Sequence, residues 1–254
     1  MRNSLIALLC FFVSVQSNAG EKMRVHFIDV GQGDATLLEF TNAAILIDTG
    51  SESNAAYDGE EALVGYLEEF FLQRPDLGNT LLSLVITHPH IDHVRGIRAV
   101  LDRHPPSNVV TNSQDAGSGK SQQRQLHRYV EGNPNDPTDN KPYCAVTLNS
   151  IPKQTGLHNE VIDPVICPGV DPKITSLWGM VSSDPGWGRK EFENVNNHSI
   201  ALRIDFGQAS LLLTGDMEEV AISDFLERYK ALICSMSMST TWDITALRMG
   251  QLQR

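Results

Sequence analysis

Leu81-Leu82-Ser83-Leu84-Val85-Ile86-Thr87-His88-Pro89-His90-Ile91-Asp92-His93 is the stretch that decides the fold. Its opening half is a nearly continuous apolar run, the pattern of a strand buried on both faces. Four potential metal ligands, His88, His90, Asp92 and His93, then crowd the strand's end. Pro89 biases His88 away from helix. In an extended chain, residues i and i+2 share a face, so His88 and His90 can meet one ion. Asp92 and His93 fall where the chain turns into a helical pattern over Val94–Leu101, and they point towards a second ion. Imidazole and carboxylate together suit zinc or a similar divalent metal. A chance polar loop is a poor account, because three of the chain's 8 histidines fall in this one place.

Outward from this stretch the chain alternates strands and helices, the mark of an α/β domain. Met23 to Val30 reads as a strand ending in the glycine turn Gly31-Gln32-Gly33. Ala35–Phe40 and Ala43–Ile47 read as short strands leading into the loop Asp48-Thr49-Gly50. Glu60–Leu72 carries the apolar spacing of an amphipathic helix. From Pro105 to Asn194 the pattern weakens into long loops, with short strands near Ala145–Leu148 and Val161–Cys167. Ser199–Phe206 and Ala209–Leu213 read as strands, and Met217–Tyr229 as a helix. Thr214-Gly215-Asp216 follows the second of these strands, at a sheet end where α/β enzymes place ligand groups. A carboxylate at Asp216 can bridge two ions about 3.5–4 Å apart.

The HxHxDH motif at His88–His93 resembles the metallo-β-lactamase superfamily. Three further stretches, Phe27-Ile28-Asp29-Val30-Gly31-Gln32-Gly33-Asp34, Ile47-Asp48-Thr49-Gly50 and Asn196-Asn197-His198-Ser199, resemble one branch of it. That branch contains the extracellular nuclease-like domain of bacterial competence (DNA-uptake) channel proteins. The resemblance runs from about residue 23 to residue 229 and implies a four-layered αβ/βα sandwich with two divalent metal ions, zinc or manganese, at the sheet edges. It implies that His88 and His90 hold the first ion. Asp92 and His93 would hold the second, with Asp92 also orienting the attacking water, and Asp216 would bridge the two. Asp48 matches a residue that braces the metal loop, and Asp34 lies in the branch-specific turn. His198 is either a third ligand of the first ion or a polar loop residue.

The family pattern continues past the Gly-Asp strand with another strand and a His-His-Gly-Ser-like turn. No histidine follows Asp216 here. Ser235-Met236-Ser237-Met238-Ser239-Thr240-Thr241-Trp242-Asp243 has no strand or helix periodicity, but its third-base reading frame permits valines, two histidines and a forced glycine. The reading is a frameshift near Ala231–Ser235, which makes about 230–254 an aberrant tail that includes Cys234. The last strand and ligand turn of the fold would then be missing.

The remaining arithmetic sets limits. The chain has 254 residues and a net charge of -11, which excludes a globally basic nucleic-acid binder but not a local basic groove. Lys120, Arg124, His127 and Arg128 form one small basic cluster, or simply a solvated helix face. Residues 1–19, with Arg2, the apolar run Leu5–Val15 and Ser17-Asn18-Ala19, read as a signal peptide cleaved before Gly20. The expectation is a secreted or periplasmic single domain over residues 20–254 with no transmembrane anchor after cleavage. Outside the cytosol Cys144 and Cys167 are either a disulfide or two buried thiols. The expected activity is metal-dependent hydrolysis of a small-molecule or nucleic-acid phosphodiester. The alternatives are an ester, lactone or β-lactam substrate, or an inactive metal-binding remnant.

Overall fold

A computed structural model describes residues 22–230. The first three strands, β1 (Arg24–Phe27), β2 (Thr36–Glu39) and β3 (Ala44–Ile47), form an antiparallel meander. Helix α1 (Gly59–Gln73) then carries the chain across to β4 (Leu81–Ile86), which pairs parallel to β3. Asp58 caps α1 by accepting from the backbone N–H groups of Glu60 and Glu61. After β4 come α2 (Ile91–Val94), α3 (Ile97–Arg103) and β5 (Pro106–Thr111), then α4 (Lys120–Glu131) and β6 (Tyr143–Ala145). The six strands lie in sequence order, β1 to β6. A second sheet holds β7 (Lys173–Trp178), β8 (Ala201–Phe206) and β9 (Ala209–Leu213). Between β7 and β8 lies the short helix α5 (Arg189–Glu193), and α6 (Glu219–Arg228) follows β9.

Strand alternation sorts the core into three layers of contact. Leu37, Leu46, Leu84 and Val109 face Leu63, Leu67 and Phe71 of α1, Ile97 and Val100 of α3, and Leu126 of α4. Their strand neighbours Leu38, Ile45, Val85 and Val110 face the opposite way, onto Ile174, Leu202 and Ile204 of the second sheet. Trp178 and Ala201 on the far side of that sheet pack against Met217, Ala221 and Phe225. Helices, sheet, sheet and helix therefore stack in four layers, the αβ/βα sandwich. Each fully buried Leu, Ile or Val contributes about 1.5–3 kcal/mol, so the central strands anchor everything carried on their ends.

The stretch from Pro105 to Asn194 holds more regular structure than its composition suggests, with β5, α4 and β7 all within it. Strand β5 opens on Pro106, tolerated at a strand's first residue. Its Asn108 is buried, which hides the strand from an apolar count. Helix α4 fully buries only Gln123 and Leu126, with Tyr129 and Val130 packed partly against the core, and its remaining residues are polar. Val161–Cys167, expected as a strand, is a loop instead. Asn159 Oδ1 accepts from the N–H groups of Val161 and Ile162 and turns the chain there. No bond joins Cys144 to Cys167. Cys144 Sγ accepts from Asn159 Nδ2, and Cys167 Sγ donates to Asn42 Oδ1. The expected signal peptide over residues 1–19 and the expected aberrant tail from 231 onward lie outside the described residues.

Candidate metal centre

Three loops meet at the ends of β1, β3 and β4, and backbone bonds stitch them together. The Asp34 N–H donates to the Asp92 carbonyl at 3.0 Å, the Gly50 N–H to the Asp34 carbonyl at 2.9 Å, and the Thr49 N–H to the His93 carbonyl at 2.8 Å. This contact is what the glycine motifs are for. A Cβ on Gly50 would lie 1.5 Å from the Asp92 carbonyl oxygen, and one on Gly33 2.5 Å from the same atom. Only a bare backbone lets the His88–His93 loop approach so closely.

Asp48 sits at the middle of this junction, in a left-handed conformation (φ 57°) that is costly for a residue with a Cβ. It is held there by three donors. Oδ1 accepts the Thr87 N–H at 2.7 Å, and Oδ2 accepts the Thr87 hydroxyl at 2.6 Å and His93 Nδ1 at 2.8 Å. Asp48 and His93 are both buried.

These bonds fix how the histidines present themselves. Thr87 has one hydroxyl hydrogen, and Asp48 takes it, so towards His88 Nδ1 at 3.2 Å the Thr87 oxygen can only accept. His88 therefore carries its hydrogen on Nδ1, where Ser199 Oγ also lies at 3.2 Å. Its Nε2 lone pair is left facing His90 Nδ1 at 3.2 Å. Burial, with His93 and His90 adding to it, pushes the His88 pKa well below its ordinary value, so the ring is neutral. His93 likewise donates Nδ1–H to Asp48 and turns Nε2 towards Asp216 Oδ2 at 3.3 Å. Carboxylate or hydroxyl behind one ring nitrogen, with the other nitrogen left for an ion, is the usual support of a metal-binding imidazole.

Among the described residues, His88, His93 and Asp216 bring their ligand atoms within 4.8 Å of one another. The surrounding charge fits a cation. Burial opposes a charge on His93, yet Asp48 and Asp216 at its two nitrogens outweigh it and hold its pKa well above the ordinary value. Burial pushes the Asp34 carboxyl up to about 6, against the pull of His93 and with the push of Asp48, Asp216 and Asp92. Three carboxylates, Asp34, Asp48 and Asp216, thus gather around one imidazole, with Asp92 acting on Asp34, an excess of negative charge that a divalent ion would neutralise. Asp34, Asp48, Thr87, Thr214 and Gly215 also line a cavity that opens beside the cluster.

The other expected ligands are placed less tightly. His90, half-buried, abuts His88, and the half-buried Asp92 heads α2. Neither belongs to the group of ligand atoms within 4.8 Å. His198 is not brought to that group. It is buried, its Nδ1 accepts the Val181 N–H at 3.1 Å, and its Nε2 donates to the Phe192 carbonyl at 2.7 Å. With both ring nitrogens engaged, it ties the loop before β8 to its neighbours, and the polar-loop alternative is the one this geometry fits. Thr87 and Ser199, which set the His88 tautomer, escaped the sequence reading. The available signal was their adjacency to His88 and to the Asn196–Ser199 stretch. The basic cluster is only partly neutralised, since Lys120 and Arg124 share one carboxylate, that of Asp115. No helix among the described residues is long and apolar enough to cross a membrane.

The chain is similar to "Recombination protein 2" of Haemophilus influenzae, 26% identical over 84% of this chain and 21% of that protein. It is also similar to the uncharacterized protein YcaI of Escherichia coli, 23% identical over 82% of this chain and 20% of that protein. The chain thus spans about a fifth of the length of these relatives. Among solved structures it is similar to the metallo-β-lactamase fold protein YhfI from Bacillus subtilis, with 15% identity over 76% of this chain and 62% of that one, TM-score 0.40. A metallo-β-lactamase from Cronobacter sakazakii gives 15% identity over 82% and 71%, TM-score 0.43. The family model described as the metallo-beta-lactamase superfamily matches residues 28–249. A match over most of the chain, on a four-layered sandwich with a His/Asp cluster at its sheet ends, means that this protein belongs to the metallo-β-lactamase superfamily.

Proposed function

We propose that the chain is a metal-dependent hydrolase that holds two divalent cations, zinc or manganese, and acts on phosphodiesters. The observation that carries the reading is the convergence of His88, His93 and Asp216, with the outer nitrogens of both imidazoles already engaged. Divalent cations held by these residues would supply an acidified water and positive charge opposite the charge that develops in hydrolysis. His88 and His90 would hold one ion, Asp92 and His93 the other, and Asp216 would bridge them. Asp92 is the residue assigned to orient the attacking water, and its backbone is fixed for this by Asp34 N–H and the bare Gly50. Asp48 holds the His93 proton on Nδ1, and Thr87 does the same for His88.

The phosphodiester class rests on the sequence resemblance to competence-channel domains and on similarity to a protein named for recombination. The reading of residues 1–19 as an export signal suits an extracellular or periplasmic nucleic acid or small phosphodiester. The net charge of -11 favours short or small substrates over tightly held duplexes, whose affinity rests on Lys and Arg contacts. The test loads the purified chain with zinc or manganese and offers bis(p-nitrophenyl) phosphate, single-stranded DNA and nitrocefin in parallel. Phosphodiester turnover abolished by His88→Ala supports the proposal. Turnover of nitrocefin alone would replace it with the lactam reading.

A further inference from the structure

Asn196 lies in the turn Val195–His198, directly before the small sheet, and its side chain is unusually committed. Its Nδ2 donates to Glu218 Oε1 at 2.8 Å. A carboxylate can only accept, so this bond settles which end of the amide is which. Glu218 is itself fixed, because its backbone N–H donates to Asn197 Oδ1 at 3.2 Å. The amide oxygen is thereby turned the other way. There Asn196 Oδ1 is buried and makes no hydrogen bond. The side chain faces the His88 ring closely enough to favour a proton there, without meeting hydrogen-bond geometry. A buried carbonyl oxygen without a donor is costly, and natural proteins rarely keep one without a use.

We infer that Asn196 Oδ1 is a protein ligand of the ion held by His88 and His90. The inference rests on the metal-centre reading above. His198, the other candidate from the same turn, has both ring nitrogens engaged by Val181 and Phe192. Asn196 is left as the residue of that turn with a donor atom to offer. An amide oxygen is a recognised ligand for hard divalent ions and a neutral one. It would add a ligand to a region already rich in carboxylates without adding charge.

The test is binding and spectroscopy of cobalt(II), measured on the full chain by chelator competition and visible absorption, with no turnover involved. Asn196→Ala should weaken the ion at the His88 side about 10- to 100-fold and change the cobalt d–d bands. Its metal-free melting curve should stay close to that of the unsubstituted chain. Asn196→His, which places a nitrogen where the amide oxygen stood, should change the same bands in a different direction. It decides the matter if the alanine variant folds poorly. Unchanged bands in either folded variant would overturn the inference, even if affinity falls, since that is the behaviour of a residue that only positions His88. If the unsubstituted chain binds no cobalt at all, the metal-centre reading fails first. That outcome is distinct from cobalt binding that ignores Asn196.

Discussion

Replacing Asp48 by Asn removes one charge and almost no volume, and it tests the bracing of the whole centre. Asn tolerates the left-handed backbone at this position (φ 57°), so no new strain enters. The carboxylate faces donors on both oxygens: the Thr87 N–H on one, the Thr87 hydroxyl and His93 Nδ1 on the other. An amide has one oxygen, so one side must face an N–H with an N–H. If the amide NH2 turns towards His93, the ring must give up its Nδ1 hydrogen, and Nε2 is then protonated and lost to an ion. If it turns towards Thr87, a buried backbone N–H is orphaned. The second arrangement costs about 1–3 kcal/mol of stability. The first costs about 10- to 100-fold in metal affinity, which is about 1.4–2.7 kcal/mol. Chelator competition with zinc, alongside denaturant unfolding of the metal-free chain, reads both. The expected result is a loss of at least one of these sizes. An Asp48→Asn variant within about threefold of the parent in affinity and about 0.5 kcal/mol in stability would refute the tautomer reasoning.

Gly50→Ala should be among the most damaging single-methyl changes in the chain, because the added Cβ falls 1.5 Å from the Asp92 carbonyl. A loss of about 3 kcal/mol or more, or a visibly weaker metal site in what still folds, is the outcome to look for by thermal melting and metal titration. His198→Ala should cost about 2–4 kcal/mol by stranding the Val181 N–H and Phe192 carbonyl, while metal affinity changes less than threefold; a tenfold loss would restore His198 as a ligand. Glu39 gives the pH prediction. Burial raises its pKa, but Arg24, Arg74 and His26 outweigh it and hold the carboxyl below its ordinary 4.5. In the window just below pH 4.5 the unfolded chain binds the extra proton, so stability rises with pH there and falls as pH drops through the folded value. Glu39→Gln should flatten that slope and cost about 2–3 kcal/mol at pH 7; Arg24 is largely exposed and adds little of this. An unchanged acid limb in urea titrations would show the network to be idle.

Much of this was legible in the residues. The run Leu81–Ile86 was readable because a strand buried on both faces has to be apolar throughout, and it occupies those six positions. Helix α1 was readable because only one of its faces is apolar. Helix α4 and strand β5 were not, because both bury polar side chains, Gln123 and Asn108, in place of apolar ones. The candidate site divides the same way. Ligand types cluster in sequence and announce themselves, whereas Thr87, Ser199 and Asn196 are ordinary hydrogen-bonding residues. Their importance comes from which atom they face, and that is decided by loops far apart in the chain. The two glycine motifs stood out as turns. That Gly33 and Gly50 both abut the Asp92 carbonyl could be learned only once the loops were brought together.

The metal centre is tested by elemental analysis of the metal-loaded, dialysed chain beside His88→Ala and Asp216→Ala. Two zinc or manganese ions per chain are expected, with loss of bound metal in both variants. A parent chain that retains no metal, or variants that retain as much as the parent, would contradict the claim that the ends of β4 and β9 form a metal centre.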